Sequence, residues 1–105
     1  MTSEPQERRQ AKRFTYVCEA KCEALGGLSI ARITTLSAAG AWIETSSPPA
    51  EGSILKLGFT AGSVDVTTQA KVVHRLPGKG MGVAFQNLSP RHREAIEALS
   101  ADTGS

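Results

Sequence analysis

VDVTTQAKVVHRL, residues 64–76, decides the fold class. Its apolar and small side chains recur at every second position between Val64 and Val72, which is the period of a strand with one buried face. The turn-forming sequence PGKG follows at residues 77–80 and leads into a second apolar run, Met81–Leu88. The sequence therefore predicts a β-hairpin within a mainly β protein.

Four more strand-like segments precede this hairpin. They are separated by breaks rich in glycine, serine or proline, and they cover Phe14–Glu23, Leu28–Leu36, Ala41–Thr45 and Ile54–Phe59. Two prolines in the segment 46–52 remove backbone donors and exclude a strand there. Six short strands with frequent turns predict a six-stranded antiparallel β-barrel.

The pattern changes from strand to helix after the last strand. Ser89 and Pro90 are typical of a helix start, because a capping hydroxyl precedes a proline at the first helical position. One face of this helix then carries His92, Ala95, Ile96 and Leu99. We expect a flexible basic N-terminal arm at residues 1–10, the barrel domain with its C-terminal helix at residues 11–100, and a tail at residues 101–105.

The composition describes a globular protein, with 40% hydrophobic and 21% charged residues among 105. No apolar run is long enough to cross a bilayer. The first residues, MTSEPQERRQ, have no apolar stretch after their charges, unlike a secretory signal. The sequence therefore predicts a cytoplasmic protein that does not contact the membrane.

The cationic residues are unevenly distributed, although the net charge is only +2. No acidic residue lies between Asp65 and Glu94, an interval that contains Lys71, Arg75, Lys79, Arg91 and Arg93. Together with Arg8, Arg9, Lys12 and Arg13, these side chains form either one positive face or a set of scattered solvated charges. A barrel that binds single-stranded nucleic acid is disfavoured, because such barrels interleave basic residues with exposed aromatics, and aromatics are only 5% of this chain.

Cys18 and Cys22 predict neither a disulfide nor a metal site. On a strand their Cα atoms are about 13 Å apart, which is too far for a bridge. With His74 and His92 they match no common zinc spacing, so we expect packing residues. The chain also lacks a P-loop, a GxSxG turn and paired carboxylates, and the sequence therefore predicts no enzymatic activity.

Two short motifs carry the functional signal. Arg9–Arg13 follows the pattern RxxxR, and Thr35–Gly40 follows TxSxxG at the predicted turn between the second and third strands. A third stretch, GMGVAFQ at Gly80–Gln86, forms the last strand before the helix. In this order and spacing the three stretches resemble the PilZ domain family, whose pattern is RxxxR, D/NxSxxG and a GxGVxF strand followed by a helix. The resemblance covers about residues 7–100.

The resemblance implies a receptor for the second messenger cyclic di-GMP, with no metal and no other cofactor. The ligand-binding positions would be Arg8, Arg9, Arg13, Thr35, Ser37 and Gly40. Family members usually order the N-terminal arm around the ligand and present a changed surface to a protein partner, often in motility or biofilm regulation. The chemistry is consistent with this, because a guanidinium matches the O6 and N7 acceptors of guanine bidentately. Lysine cannot reproduce that geometry, so Lys12 is not expected to be a specific contact.

Thr35 departs from the family pattern. An Asp at this position accepts two hydrogen bonds from the N1–H and N2–H edge of guanine, whereas Thr has a single neutral hydroxyl. Losing a hydrogen bond to a charged acceptor costs about 1.5–3 kcal/mol, or roughly 10- to 150-fold in affinity. Two hypotheses therefore stay open. The chain is either a cyclic di-GMP receptor or a degenerate PilZ-like interaction module that does not bind the dinucleotide and acts through protein contacts alone.

Overall fold

The computed structural model describes residues 13–24 and 27–104. The predicted arm at residues 1–10 and its boundary with the barrel lie outside the described residues. Six strands and one helix make up the described part of the chain, with bounds β1 Phe14–Ala24, β2 Gly27–Leu36, β3 Gly40–Glu44, β4 Ile54–Ala61, β5 Val64–Leu76, β6 Gly80–Gln86 and α1 Pro90–Gly104.

All neighbouring strands pair antiparallel and close into a barrel in the order β1-β2-β3-β6-β5-β4. The predicted mainly β fold, a six-stranded antiparallel barrel with a C-terminal helix, is therefore confirmed. The register slips by one or more residues in three of the ladders, between β1 and β2, between β2 and β3, and between β5 and β6. Such bulges bend the strands and increase their twist, which suits the closure of a small barrel.

Several strand ends differ from the prediction for local reasons. β6 ends at Gln86 instead of Leu88, because Asn87 adopts a positive φ of 61°, a conformation that asparagine tolerates better than most residues. β4 continues to Ala61, whose side chain is 2% exposed and belongs to the core. The turn between β4 and β5 is therefore limited to Gly62 and Ser63.

The core fills the inside of the barrel with the alternate side chains of each strand. In β5 the predicted inner face is confirmed, since Val66, Thr68, Ala70 and Val72 are buried and Val64, at the start of the strand, is half-buried. The rings of Phe59 and Phe85 stack with their centroids 6.2 Å apart. The largest fully buried side chains are those of Ile33, Leu36, Ile43, Leu57, Met81, Ile96, Val66 and Val72.

Both cysteines are packing residues, as predicted. Cys22 is buried, Cys18 is half-buried, and both are free thiols. Burial raises the pKa of both thiols above the ordinary value, because it penalises the charged thiolate. Neither side chain is therefore suited to act as a nucleophile near neutral pH.

Helix α1 packs against β5, β1 and β4. Its start is the predicted one, because the Ser89 Oγ accepts a hydrogen bond from the His92 N–H at 3.2 Å. Ile96 anchors the helix in the core and is fully buried, while Leu99 Cδ2 lies 3.5 Å from the position that a Cβ would take at Gly62. Within residues 13–24 and 27–104, no helix has the length and apolarity needed to cross a membrane.

Candidate functional site

The turn between β2 and β3 is held by the side chain of Ser37. Its Oγ accepts hydrogen bonds from the N–H groups of Ala39 and Gly40, both at 3.1 Å, and it donates to the Gly40 carbonyl at 3.3 Å. A hydroxyl has one donor and two acceptor lone pairs, so these three bonds use its full capacity. The side chain is also only 4% exposed. Ser37 therefore shapes the turn, and its hydroxyl has no capacity left for a ligand in this conformation.

Gly40 is required by the neighbouring strand. A Cβ at this position would collide with the Val83 carbonyl oxygen of β6, so β3 and β6 approach more closely here than any side chain allows. The adjacent Phe85 N–H donates to the Ala39 carbonyl at 2.9 Å and fixes the turn to β6. The structure therefore gives Gly40, one of the expected ligand-binding positions, a role in packing β3 on β6.

Arg13 lies at the first described position of the chain, directly before β1, and is exposed. Phe14 pairs with Leu36, so Arg13 stands one residue beyond this pair, at the same end of the sheet as Ser37. The start of β1 is fixed by Tyr16, whose hydroxyl donates to the Thr60 carbonyl at 3.0 Å and accepts from the Gly62 N–H at 3.1 Å. The structure thus brings Arg13 close to the TxSxxG turn. Arg8 and Arg9 lie outside the described residues.

A bulge in β2 places Thr35 on the outer surface of the barrel. Ile33 pairs with Ile43 and Thr35 pairs with Trp42, so Thr34 is the extra residue on β2. Ile33 and Leu36 are both fully buried, whereas the two threonines between them are partly exposed. Without the bulge, alternation would point one of these threonines into the core.

Trp42 lies next to Thr35 in a row of residues that runs across the outer surface of the barrel. In register the row runs from Thr35 through Trp42 and Gly82 to His74. The rings of Trp42 and His74 have their centroids 6.3 Å apart and are tilted by 42°. Trp42 is half-buried and is the only tryptophan of the chain. The indole beside Thr35, with the imidazole of His74 beyond it, thus adds an aromatic surface next to the predicted site.

The glycines of the GMGVAFQ stretch leave room for this indole. A Cβ at Gly80 would lie 3.1 Å from Trp42 Cζ2 and would also collide with the Ile43 carbonyl oxygen. At Gly82 the nearest atom to such a Cβ is Trp42 Cε3, at 3.5 Å. Sequence reasoning did not include Trp42 in the site, although it stands two residues after Gly40 and therefore on the same face of β3.

The basic residues between Asp65 and Glu94 do not gather on one face. Lys79 lies in the turn before β6, whereas Arg91 and Arg93 lie on α1, which follows the other end of β6. Arg75 is bound to the loop after β3, because its Nη2 donates to the Pro48 carbonyl at 3.0 Å. The second interpretation, scattered surface charges, therefore fits this interval. No cluster of metal-binding side chains occurs in the described part of the chain.

A family model described as the PilZ domain matches residues 7–102. No curated protein matches the chain.

Solved structures share the fold. A PilZ domain of CeSA from a cellulose-synthesizing bacterium has a TM-score of 0.68 and 12% identity, with 90% of this chain and 100% of that chain covered. Escherichia coli YcgR in complex with c-di-GMP has a TM-score of 0.72 and 16% identity, with 92% and 46% covered. Borreliella burgdorferi PlzA in complex with c-di-GMP has a TM-score of 0.65 and 17% identity, with 91% and 37% covered. The chain thus spans less than half the length of the latter two.

Replacing Ser37 should destabilise the protein even without a ligand. Ser37→Ala removes the acceptor for two backbone N–H groups, and we expect a loss of about 1–3 kcal/mol in the free energy of unfolding. Urea unfolding followed by circular dichroism measures this loss. The control is Ser63→Ala in the exposed turn between β4 and β5, where we expect a change within about 0.5 kcal/mol. Equal stabilities of Ser37→Ala and wild type would contradict the role assigned to this hydroxyl.

Proposed function

Because the chain belongs to the PilZ domain family, we propose that it is a receptor for cyclic di-GMP that signals to a protein partner. The observation that carries the proposal is the position of Arg13, exposed at the start of β1 and next to the TxSxxG turn. The complexes of YcgR and PlzA with c-di-GMP support the choice of ligand. In this proposal the protein acts as a receptor and has no enzymatic activity.

The arginines supply the main recognition chemistry in this proposal. Arg8, Arg9 and Arg13 present guanidinium groups that bind the O6 and N7 edge of guanine or pair with the two phosphates. The dinucleotide carries negative charge, and arginine forms shorter and stronger hydrogen bonds with such an acceptor than neutral donors do. Lys12 contributes only general positive charge.

Trp42 and Thr35 form the proposed floor of the site. The face of the Trp42 indole offers a stacking surface for one guanine base, and base–aromatic stacking is worth about 1–3 kcal/mol per base. Thr35 contributes a single hydroxyl. Ser37 and Gly40 belong to the ligand site through the shape of their turn, because the Ser37 hydroxyl bonds within the turn and Gly40 packs on β6.

The proposed signal is a change in the N-terminal arm. Ligand held by Arg8, Arg9 and Arg13 would order the segment before β1 and thereby change the surface offered to a partner. The identity of the partner, a role in motility or biofilm regulation, and the cytoplasmic location stay predictions.

The alternative is a degenerate PilZ-like module that acts through protein contacts without cyclic di-GMP. Thr35 favours this alternative, because the position lacks the carboxylate or amide of the family pattern. The saturated hydroxyl of Ser37 favours it as well. The experiments below separate the two functions.

Titration with cyclic di-GMP tests the receptor directly. We expect heat of binding in calorimetry and a change in the fluorescence of Trp42, the only tryptophan. Arg13→Ala should weaken binding by roughly 10- to 150-fold, since a hydrogen bond to a charged group is lost. Arg13→Lys should recover only part of this loss, because the ammonium keeps the charge but not the planar fork.

The matched control for Arg13 is Arg93→Ala, an exposed arginine on α1, which should bind like the wild type. Absence of both heat and fluorescence change at hundreds of micromolar cyclic di-GMP would reject the receptor and favour the alternative.

Thr35→Asp should tighten the binding of cyclic di-GMP. The carboxylate accepts two hydrogen bonds from a guanine edge where the hydroxyl offers one neutral group, and we expect a gain of roughly 10- to 150-fold. Thr35→Val keeps the side-chain shape without the hydroxyl and should bind no better than wild type. The same titration measures both variants. An unchanged affinity of Thr35→Asp would mean that Thr35 does not face the ligand.

Ligand should protect the arm from trypsin. The segment before β1 offers cleavage sites after Arg8, Arg9, Lys12 and Arg13. If cyclic di-GMP orders the arm, cleavage there should slow in the presence of ligand, and mass spectrometry of the products measures the rates. The Arg13→Ala protein at the same ligand concentration should show no protection. Binding of ligand without any protection would separate recognition from the proposed signal.

A further inference from the structure

One edge of β2 is not covered by the barrel. β3 pairs with β2 only through Arg32–Leu36, although β2 begins at Gly27. Among the described residues, Gly27–Ala31 therefore has a strand partner on its β1 side and none on its β3 side. Backbone N–H and C=O groups along such an edge are available to another strand.

The loop after β3 is tied to the opposite side of the barrel. The Thr45 N–H donates to the Lys79 carbonyl at 3.1 Å, and the Gly78 N–H donates to the Ser46 carbonyl at 3.0 Å. The end of the loop lies beside β5, because the Gly52 N–H donates to the Val72 carbonyl at 2.7 Å. Both ends of the loop are thus bonded to β5 or to the turn between β5 and β6.

A cavity of about 480 Å³ lies at the end of the barrel where β2 begins, and β1, β4 and Met81 of β6 contribute to its lining together with β2 and the loop. Gly27, Leu28 and Ser29 line it from β2, and Thr45 and Pro49 line it from the loop. No lining residue carries a charge. An uncharged cavity therefore borders the start of β2 on the side where β3 does not pair with it.

The edge also exposes two large apolar side chains. Leu28 is 62% exposed and Ile30 is 57% exposed, both on the outer face of β2. The sequence GLSIA contains no proline and no charged residue, the features with which proteins usually protect a free edge. An unprotected edge with adjacent apolar side chains is typical of a surface that a partner strand covers.

We propose that a second copy of this chain covers the edge, by antiparallel pairing of Gly27–Ala31 with the same segment. Pairing centred on Ser29 sets Leu28 opposite the second copy's Ile30, and Ile30 opposite the second copy's Leu28. A two-fold axis makes both contacts identical, as a closed dimer requires. The four apolar side chains then form one cluster on the outer face of a continuous sheet.

The charges on β1 suit this arrangement. Glu23 pairs with Leu28 and Lys21 pairs with Ile30 across β1 and β2. In the dimer, each outer row therefore runs from Glu23 through Leu28 and the second copy's Ile30 to the second copy's Lys21. Each row ends in charges of opposite sign and brings no like charges together, so electrostatic repulsion does not oppose the pairing.

Two single substitutions and their mixture test the dimer and its register. Ile30→Glu places a carboxylate opposite the second copy's Leu28, and Leu28→Lys places an ammonium opposite the second copy's Ile30. Each variant replaces two of the four apolar side chains of the cluster and sets like charges of the two copies on diagonal positions, so each variant alone should dimerise at least about tenfold more weakly than wild type. Within the monomer the new side chains face Lys21 and Glu23, which helps each variant to fold.

An equimolar mixture of the two variants should dimerise again. In the mixed dimer the glutamate at position 30 meets the lysine at position 28, and the native pair Ile30 and Leu28 meets on the other side of the axis. Sedimentation velocity from low micromolar to millimolar protein measures all these states. In the wild type, amide exchange at Gly27–Ala31 should also slow as concentration rises.

The control is Val73→Glu on β5, where the valine is 53% exposed and away from the edge. This variant should dimerise like the wild type. A wild type that stays monomeric at millimolar concentration overturns the proposal, as do variants that associate normally or a mixture that stays monomeric. Equal loss in Val73→Glu would place the interface on another face and also overturn it. None of these outcomes depends on cyclic di-GMP.

Discussion

β3 and β6 approach each other so closely that neither strand tolerates a side chain at their narrowest points. A Cβ at Gly40 would collide with the Val83 carbonyl oxygen, and a Cβ at Gly80 would collide with the Ile43 carbonyl oxygen. This contact fixes the turn that Ser37 shapes and leaves room for the Trp42 indole over β6. The position of the candidate site therefore depends on a backbone contact before it depends on any polar side chain.

Local periodicity predicted most of the fold, because alternation records which side of a strand is buried. In β5 the inner face was predicted residue by residue, and the Ser89 cap was also correct. The bulge at Thr34 could not be predicted, since the extra residue is defined only by pairing with another strand. The edge at Gly27–Ala31 could not be predicted either, because it is defined by the residue at which β3 stops pairing with β2.

The candidate site was predicted only in part, for a related reason. A motif gives the spacing of Thr35, Ser37 and Gly40, but not the hydrogen bonds that each side chain already makes. Ser37 bonds within its own turn, and Gly40 packs on a strand that is distant in sequence. Trp42 joins the site because register sets it beside Thr35. In the proposed receptor, the described residues that would contact the ligand are Arg13, Thr35 and Trp42, and the turn formed by Ser37 and Gly40 would position them.

The two hydrogen bonds of Tyr16 join the start of β1 to a turn that the helix also contacts. The phenol hydroxyl bonds to the backbone of Thr60 at the end of β4 and of Gly62 in the turn that follows. Leu99 of α1 lies near the same Gly62. The Tyr16 hydroxyl thus joins the start of β1 to this turn, in addition to the direct contact of α1 with β1. The start of β1 and the C-terminal helix are therefore neighbours in the fold although they are far apart in sequence.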